Sequence, residues 1–333
     1  MGPNRIAYLD LVKLFTIYLV ILGHVIIMMN PDLSVGGRLY TFIYTFHMPL
    51  FVMISGYFCG SSLSKPFLSF VKVKARQLLL PVLSCTVIAC VYLFLFRDTA
   101  NYRDEMIGNS WFLKVLFVYY LLVWLLKKTG FNEWVLFMIS CVILFFIPRG
   151  SSLQLNLLFP YFWVGYSLKK YHILETMAVS SRYFVFFLLL FAGLYVVQTE
   201  AHIPTYIPIN IETLGGMWRF ILFRYMIGSC GCLFVILGIA YLNKKFKPCS
   251  LVNKVAKYGQ MTLGVYVLQT ILVINIFPDV VQWNIESEWM FNVIVAPVIA
   301  LVFLVLCLWL ILVLSKCKVL DLLLFGGQYY KVH

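Results

Sequence analysis

The stretch RIAYLDLVKLFTIYLVILGH, residues 5–24, decides how the rest of the sequence is interpreted. Almost every residue in it is apolar, and about 20 mainly apolar residues are enough for a helix to cross a bilayer. The stretch therefore predicts a transmembrane helix over residues 6–28. Its polar exceptions are Asp10, Lys13 and His24. A charged side chain inside the hydrocarbon region is costly unless it is paired or faces water, so each exception is a functional candidate.

The composition extends this interpretation to the whole chain of 333 residues. Apolar residues make up 62% of it and charged residues 12%, and the mean hydropathy is +0.93. Soluble domains average about 25% charged residues, so there is too little charge here to cover a water-soluble body of this size. A soluble enzyme, a disordered chain, a collagen-like chain and a soluble coiled coil are excluded. We expect an all-α integral membrane protein of the cytoplasmic membrane, with a multi-pass topology.

Breaking the chain at polar and Pro/Gly clusters yields about ten candidate transmembrane helices. They are residues 6–28, 42–60, 77–96, 111–126, 133–148, 154–168, 183–198, 217–242, 260–277 and 289–315. No soluble insertion and no internal repeat separates them, so residues 1–333 are expected to form a single membrane domain. The nine cysteines show neither metal-ligand nor disulfide spacing, so no metal cofactor is expected.

The formal net charge of +13 is explained by membrane topology rather than by nucleic acid. Eighteen of the 26 basic residues fall in one set of alternating loops, five fall in the other set, and three lie within spans. Cytoplasmic loops collect Lys and Arg, so the richer set is cytoplasmic. Both chain termini belong to that set. We therefore predict cytoplasmic termini and no nucleic-acid partner.

The polar residues of the first span share one face of the predicted helix. Asp10, Lys13, Ile17 and His24 follow spacings of three, four and seven residues, close to multiples of the helical turn. Lys13 and His24 are separated by about 16 Å along the helix axis, at about 1.5 Å per residue. A cation near the cytoplasm and an imidazole near the outer end suit a long phosphorylated cofactor that enters from the cytosol. The alternative is structural, with Asp10 paired to Lys13 and His24 an interior residue.

The second span, FIYTFHMPLFVMISGYFCG, contains a histidine close to a proline. Pro49 follows His47 by two positions and is expected to break or kink the helix, which would free backbone carbonyls at membrane depth. The small residues Ser55 and Gly56 permit the close approach of another helix. Each of these features is usually structural when it occurs alone.

Further candidate contact residues lie beyond the first two spans. Lys72, Lys74 and Arg76 precede the third span and fit either ordinary cytoplasmic charge or a dock for a nucleotide diphosphate. Trp111, at the outer end of the fourth span, fits either a membrane-interface tryptophan or a platform for stacking a sugar. Arg224 lies within the eighth span and needs a partner or a cavity. It is therefore a functional candidate.

The order of these motifs resembles the acyltransferase-3 family of multi-pass membrane acyltransferases, which typically modify cell-surface glycans. The resemblance is carried first by LDLVK and LGH in the first span and by FHMPLFVMISGYF in the second. The weaker blocks NSWFLKVLFVYYLL, FPYFWVGYSL and GQMTLGVYVLQT follow in the family's order, so the similarity covers about residues 5–275. It implies transfer of an acyl group, usually acetyl from cytosolic acetyl-CoA, to a hydroxyl of a cell-surface or exported glycan at the outer membrane face.

The resemblance implies roles for residues within the membrane spans. His24 matches the family's essential histidine and is the expected catalytic group. Lys13 stands where most members carry arginine, so it keeps the charge and loses the bidentate fork. Asp10 is in a position to orient Lys13. Gln269 replaces a histidine of the family's YLLH block, so it can form hydrogen bonds but cannot titrate.

The resemblance also implies an acyl-CoA site on the cytoplasmic side. The family's Arg-x-x-Arg motif falls on Lys74 and Gln77, so one of its two charges is retained in place. Arg76, one position before Gln77, offers a substitute charge, and Lys72 adds another. These four residues are the predicted acyl-CoA-binding residues.

Alternatives to this function stay open at the level of the sequence. A transporter or flippase of a glycan or lipid-linked precursor would line a path with the buried charges, and an O-succinyltransferase of an exopolysaccharide would use another donor. Direct transfer and an acyl-histidine intermediate are both compatible with His24. The expected partners are acyl-CoA, a glycan acceptor and the lipid bilayer, with a homodimer left open. The predicted acceptor-side or supporting residues are His47, Ser55, Trp111, Arg224 and Gln269. Among them, Arg224 is predicted to contact the acceptor or the acyl oxygen.

Overall fold

The first apolar stretch forms helix α1, Ala7–Met29, as predicted. The computed structural model describes residues 7–29, 37–97, 102, 108, 110–147, 154–246, 250–281 and 287–330. Within these ranges the regular structure is helical and no strand occurs, so the predicted all-α class is confirmed. Both chain termini, and with them the prediction that they are cytoplasmic, lie outside the described residues.

Further helices follow α1 along the chain. They are α2 Arg38–Tyr57, α3 Gly60–Leu63, α4 Phe67–Lys74, α5 Leu80–Phe96, α6 Trp111–Lys127, α7 Glu133–Phe145, α8 Leu155–Lys170, α9 Ile173–Val179, α10 Ser181–Glu200, α11 Ile211–Lys245, α12 Ser250–Tyr258, α13 Thr262–Gln269, α14 Phe277–Val280, α15 Glu288–Met290, α16 Ala296–Leu314 and α17 Lys318–Phe325. Three π-helical segments are π1 Ala75–Leu79, π2 Thr270–Ile276 and π3 Phe291–Val295. Because α4, π1 and α5 follow one another without a gap, they form one continuous helical run.

Seven helical segments among the described residues are long and apolar enough to cross a membrane. They are Ala7–Met29, Arg38–Tyr57, Phe67–Phe96, Ser181–Glu200, Gly215–Lys245, Thr262–Val280 and Glu288–Leu314. These segments make the chain a multi-pass membrane protein. The other predicted spans, 111–126, 133–148 and 154–168, correspond to the helices α6, α7 and α8, which have 17, 13 and 16 residues. The predicted count of about ten spans therefore stays a prediction.

Helix α2 contains the proline that the sequence predicts to interrupt it. The helix runs from Arg38 to Tyr57 with Pro49 inside, so of the predicted break or kink, the break does not occur. Proline has no N–H group, and the carbonyl oxygen of Thr45, four residues earlier, loses its usual helical donor. A side chain from another helix, that of Arg224, donates to this oxygen instead.

Two glycines allow α2 and α8 to pack backbone against backbone. A Cβ atom on Gly56 would overlap the backbone of Phe162, and a Cβ atom on Gly165 would overlap the backbone of Met53. Small residues at such positions let membrane helices approach closely and gain van der Waals contact. The close helix approach predicted from the Ser55–Gly56 pair is therefore confirmed.

Polar caps set where several apolar helices begin. The Oδ1 atom of Asn210 accepts a hydrogen bond from the backbone N–H of Thr213 at 2.8 Å, and Oγ1 of Thr213 accepts from the Asn210 N–H at 3.0 Å. This reciprocal capping box satisfies backbone donors that have no partner inside α11. Asn132 caps α7 more simply, since its Oδ1 accepts from the Trp134 N–H at 2.9 Å. The polar residues between apolar stretches thus fix these helix starts.

The described residues fall into two compact units. The first unit takes its residues from Met1–Thr16, Thr41–Lys65 and Tyr119–Gly259, and the second takes them from Ile17–Tyr40, Pro66–Val118 and Gln260–His333. Each unit has a buried core of its own. The first buries Phe46, Tyr119, Phe159 and Phe162, and the second buries Ile21, Phe112, Val265, Phe291 and Phe325. The single membrane domain over residues 1–333 stays a prediction.

Candidate active site

His24 and Gln269 are joined by a hydrogen bond in the second unit. Nδ1 of His24 lies 2.7 Å from Oε1 of Gln269, although the two residues are 245 positions apart in sequence. His24 belongs to the last turns of α1 and is half-buried, whereas Gln269 is the last residue of α13 and is fully buried. The fold therefore brings together two of the residues predicted for the site.

The orientation of the Gln269 amide fixes which nitrogen of His24 carries the hydrogen. Nε2 of Gln269 donates to the backbone oxygen of Tyr266 at 3.2 Å and to Oγ1 of Thr270 at 3.1 Å. Since both amide hydrogens are used, the amide oxygen faces His24 and accepts from Nδ1–H. His24 has no further hydrogen-bond partner in the part of the chain that the structure describes. In the neutral form of the ring, this arrangement places the lone pair on Nε2, where it can accept a proton.

A π-helical segment begins directly after Gln269. This segment, π2, covers Thr270–Ile276, and Oγ1 of Thr270 donates to the backbone oxygen of Tyr266 at 2.9 Å. Turns of π-helix are rare and frequently occur at functional sites. Thr270 therefore supports the Gln269 amide at the residue where the helix geometry changes.

Asp10 and Lys13 form an ion pair in the first unit. Nζ of Lys13 lies 3.1 Å from Oδ1 of Asp10, and the Asp10 side chain is buried while that of Lys13 is 22% exposed. The same Nζ lies 4.1 Å from the centroid of the Phe58 ring, within the range of a cation–π contact. A Cβ atom on Gly259 would overlap the backbone oxygen of Asp10, so this part of α1 is tightly packed. Lys13 is thus a cation held between a carboxylate and an aromatic ring.

The residues predicted to bind acyl-CoA differ in how far they are exposed to solvent. Lys72 and Arg76 are exposed, Gln77 is half-buried and Lys74 is buried. Lys74 ends α4, and Arg76 and Gln77 lie in π1, so the whole segment is helical. Nε of Arg76 donates to the backbone oxygen of Gly326 at 2.9 Å. Lys72 and Arg76 are therefore the cations of this segment that a dissolved anion can reach.

His47 and Ser55 form hydrogen bonds within helix α2. His47 is buried, and its Nδ1 donates to the backbone oxygen of Ile43 at 2.8 Å. Its ring also packs edge-on against the Tyr44 ring, with 4.6 Å between the centroids. Oγ of Ser55 donates to the backbone oxygen of Phe51 at 2.9 Å. Both side chains thus bond to carbonyl groups one turn earlier, which fits a structural role, and their acceptor-side role stays a prediction.

Arg224 donates to carbonyl oxygens of helix α2. Its Nη2 lies 2.5 Å from the oxygen of Tyr44, and its Nη1 lies 3.1 Å from the oxygen of Thr45. The Thr45 oxygen is the one that lacks a helical donor because of Pro49. Arg224 is buried in the first unit, where a guanidinium needs such acceptors. The partner expected for Arg224 is therefore a backbone, and its contact with the acceptor or acyl oxygen stays a prediction.

Trp111 lies at the first residue of helix α6 and is half-buried. Its ring contacts Phe112 edge-on, with 6.1 Å between the centroids. Phe112 in turn packs against the ring of Tyr266 at 5.5 Å, one turn before Gln269 on α13. Trp111 thus belongs to an aromatic group in the second unit, and its use as a sugar platform stays a prediction.

Three residues that the motifs did not single out each contact a predicted site residue. They are Thr270, Phe58 and Gly326. Thr270 directly follows Gln269 in the block GQMTLGVYVLQT, so a hydroxyl beside the amide was a usable signal. Gly326 is the first of two adjacent glycines, a pattern that indicates a left-handed turn. Phe58 carries no comparable signal, because an aromatic residue in an apolar stretch usually serves packing.

The fold and the site define a multi-pass helical membrane protein in which a buried amide holds one ring nitrogen of a histidine. A family model described as an acyltransferase domain, that of the acyltransferase-3 family, matches residues 6–315. Because this match covers most of the sequence, the chain belongs to the acyltransferase-3 family of membrane acyltransferases. The family resemblance of the sequence motifs is thereby confirmed.

Two curated relatives are both called nodulation protein NolL. The relative from Sinorhizobium fredii is 34% identical over 178 residues, which cover 49% of this chain and 48% of the relative. The relative from Mesorhizobium japonicum is 33% identical over 179 residues, with the same coverage of 49% and 48%. The chain thus spans about half the length of these curated relatives. No solved structure matches it.

Proposed function

We propose that the chain transfers an acetyl group from cytosolic acetyl-CoA to a hydroxyl of a cell-surface or exported glycan. The observation that carries the proposal is the hydrogen bond from His24 Nδ1 to Gln269, which leaves Nε2 as a base. Membership of the acyltransferase-3 family supports acyl transfer as the reaction class. The acetyl donor and the glycan acceptor are inferred from the resemblance of the motifs to that family.

In the proposed reaction, His24 acts as a general base and then as a general acid. Nε2 accepts the proton of the acceptor hydroxyl while the hydroxyl oxygen attacks the thioester carbonyl. The carbon–sulfur bond breaks, the acyl group becomes an ester of the acceptor, and the CoA thiolate leaves. The imidazolium returns its proton to the thiolate, so the ring ends neutral. Gln269 accepts from Nδ1–H throughout and, as an amide, cannot take the proton itself.

An alternative route uses the same nitrogen as a nucleophile. Nε2 would attack the thioester, expel the CoA thiolate and carry the acyl group to the acceptor. Both routes need a lone pair on Nε2 and a hydrogen on Nδ1, so the hydrogen bond to Gln269 supports each of them. Incubation with labelled acetyl-CoA in the absence of acceptor separates them, because only the second route leaves label on His24.

The cations are proposed to bind the negatively charged donor. Lys13 keeps part of its ammonium accessible while Asp10 holds it, which suits contact with an anion. Lys72 and Arg76 are exposed and are proposed to bind the phosphates of CoA, with Lys74 and Gln77 supporting the same helical segment. CoA phosphates are the chemical group that arginine recognises with paired N–H donors.

The proposal is tested with membranes that contain the full chain, radiolabelled acetyl-CoA and a glycan acceptor. His24→Ala should lower the rate of label transfer by about 10²-fold to 10⁴-fold, the contribution of a general base. His202→Asn is the matched control, because His202 is an exposed histidine outside the membrane helices. This variant should transfer label at the parental rate.

The same assay separates the proposal from its alternatives. Transfer by His24→Ala at the parental rate would contradict the role of His24. A transporter or flippase would move glycan across the membrane with no label transferred by any variant. Competition by unlabelled succinyl-CoA at the concentration of acetyl-CoA would favour an O-succinyltransferase.

A further inference from the structure

The chain continues beyond the residues that match the family, and this continuation reaches Arg76. The match ends at residue 315, and helix α17, Lys318–Phe325, follows it. Residues 326–330, which we call the C-terminal turn, come after that helix. Arg76, Gln269 and the C-terminal turn all belong to the second unit.

A buried carboxylate holds the C-terminal turn. Asp321 is fully buried, and its two oxygens accept hydrogen bonds from the backbone N–H groups of Tyr329 and Tyr330, each at 3.0 Å. The N–H of Gly327 donates to the backbone oxygen of Asp321 at 2.9 Å. Hydrogen bonds from N–H groups to a carboxylate are about twice as strong as neutral ones. The turn therefore has a defined conformation.

Gly326 brings the C-terminal turn against Arg76. Its φ of +68° lies in the left-handed region, and a Cβ atom there would overlap the backbone oxygen of Arg76. This close approach lets the backbone oxygen of Gly326 accept from Nε of Arg76 at 2.9 Å. A Cβ atom on Gly327 would lie 3.2 Å from Nη2 of Arg76. The two glycines thus form the surface on which the guanidinium rests.

Tyr329 ties the C-terminal turn to the helix that carries Gln269. Its Oη accepts from the backbone N–H of Gly264 at 3.3 Å and donates to the backbone oxygen of Gln260 at 3.5 Å. Gly264 lies in the first turn of α13, and Gln269 ends the same helix. Tyr329 is itself buried. The turn is therefore anchored at two places before it contacts Arg76.

We propose that the C-terminal turn is a positioning element for the acyl donor, which fixes the Arg76 guanidinium to receive a phosphate of CoA. The inference rests on the proposed function, which supplies an acyl-CoA as donor. Within the described residues Arg76 uses only its Nε–H, and both Nη groups are left for a ligand. Two parallel N–H groups in a fixed fork match phosphate geometry.

The neighbouring residues make this single guanidinium important. Lys74 is buried and Gln77 is uncharged. Arg76 is the exposed arginine of the segment. A long exposed side chain samples many rotamers, and ordering it on binding weakens affinity. The Gly326 oxygen orders the side chain before the donor arrives, which removes part of that penalty. Asp321, Gly326 and Tyr329 are positioning residues in this arrangement.

The test compares Gly326→Ala with Gly130→Ala in the purified full chain in nanodiscs. Gly130 has a similar φ of +74°, and a Cβ atom there would meet nothing within 4 Å, so it controls for backbone strain. Titration calorimetry with CoA as the probe should show about threefold to tenfold weaker binding for Gly326→Ala, the value of one lost hydrogen bond. The KM for acetyl-CoA should rise by the same factor while kcat stays within twofold of the parent. Gly130→Ala should leave both constants unchanged.

Arg76→Lys shows whether the effect acts through Arg76. In an Arg76→Lys background, adding Gly326→Ala should weaken CoA binding by less than twofold, because the contact is already lost. Additive effects of the two changes would overturn the proposal, as would a lower kcat with unchanged KM for Gly326→Ala. If Gly326→Ala does not fold, Tyr329→Phe replaces it, since this variant keeps the ring and loses the hydrogen bonds to the backbones of Gly264 and Gln260.

The outcomes separate this proposal from the proposed function. Parental affinity for CoA in Gly326→Ala would overturn the positioning role and leave acyl transfer untouched. Failure of the parent chain to bind CoA at all would overturn the acyl-CoA donor itself. Weaker binding in Gly326→Ala alone, relieved in the Arg76→Lys background, would support both.

Discussion

The two units differ in how their polar side chains are satisfied. In the first unit, Arg224 donates to backbone oxygens of α2, His47 donates to its own helix, and Lys13 pairs with Asp10. In the second unit, His24 is held at one ring nitrogen by Gln269, and the other ring nitrogen is the one that we propose as the base. An ionisable residue in a membrane helix is a functional candidate by default. Hydrogen bonds to backbone carbonyl groups therefore account for some of the polar residues that are functional candidates by default.

Helix geometry separates the same two units. Among the described residues, the π-helical segments Ala75–Leu79, Thr270–Ile276 and Phe291–Val295 all belong to the second unit. The first of them contains Arg76, and the second begins after Gln269. Since π-helical turns are rare and concentrate at functional sites, their distribution agrees with a reactive second unit.

The largest effect is expected from Arg224→Met, which tests whether the first unit uses this charge for structure. The change leaves the Thr45 oxygen without its replacement donor and removes the hydrogen bond from Arg224 to the Tyr44 oxygen. Hydrogen bonds to charged groups contribute about 1.5–3 kcal/mol each, so stability should fall by about 3 kcal/mol. Thermal unfolding of the purified protein in detergent measures this loss. If Arg224→Met keeps the parental stability but loses acyl transfer, Arg224 takes part in the reaction, and the contrast drawn between the two units is wrong.

Pro49→Ala provides the matched control for Arg224. Alanine restores an N–H group that can donate to the Thr45 oxygen within α2. In the Pro49→Ala background, Arg224→Met should therefore cost less, by about 1 kcal/mol, the value of one hydrogen bond. If the stability changes caused by the two substitutions simply add, the guanidinium does not replace the donor that the Thr45 oxygen lacks because of Pro49.

Gln269→Leu is expected to have the second largest effect. It tests whether the amide of Gln269 orients His24 in the second unit. Without the amide oxygen, Nδ1–H of His24 loses its acceptor and the ring loses its preferred orientation. One such hydrogen bond corresponds to about a tenfold fall in kcat. Label transfer from acetyl-CoA in initial-rate assays measures it. Gln269→Glu keeps an acceptor and should retain most of the activity.

Gln198→Leu is the matched control for Gln269. Gln198 is a fully buried glutamine of the first unit, and its Oε1 accepts from Oγ1 of Thr45 at 3.1 Å. Its loss should lower thermal stability and leave kcat at the parental value. Equal falls in kcat for the two glutamine variants would mean that the Gln269 effect is a general packing defect.

The smallest effect is expected from Glu175→Gln, at the surface of the first unit. Burial raises the pKa of Glu175, but hydrogen bonds from Lys169 Nζ at 3.0 Å and Tyr57 Oη at 2.8 Å outweigh it, so the pKa lies below its ordinary value. A lowered pKa adds stability above the unfolded value of about 4.3, and this stability is lost as the pH falls through the folded value. The contribution is below about 1 kcal/mol for a pair this exposed.

Thermal midpoints measured between neutral and acidic pH check this prediction. The parent chain should lose more stability than Glu175→Gln below about pH 4, because the glutamine cannot be protonated. Identical pH profiles for the two proteins would show that the ion pair of Glu175 and Lys169 contributes nothing to stability. Transfer activity at neutral pH should be the same in both.

The sequence was sufficient for the fold class and for the histidine that we propose as the base. Length, hydropathy and charge predicted helices that cross a membrane, because these properties are local and add along the chain. His24 and Lys13 stood out as polar residues in an apolar helix, and their motif carried the family resemblance. The ion pair of Asp10 and Lys13 was also within reach, since residues three positions apart share a helix face.

The tertiary structure alone decided which partners these residues have. The contact of His24 with Gln269 joins positions 245 apart, and that of Arg224 with Thr45 joins positions 179 apart. No local pattern encodes such pairs, because they depend on how helices pack and on where π-helical turns shift the register. For that reason the sequence left open whether Pro49 breaks or kinks the helix, whereas the structure has one helix there, with Arg224 donating to the Thr45 oxygen. The sequence names the candidate groups, and packing determines which partner each of them has.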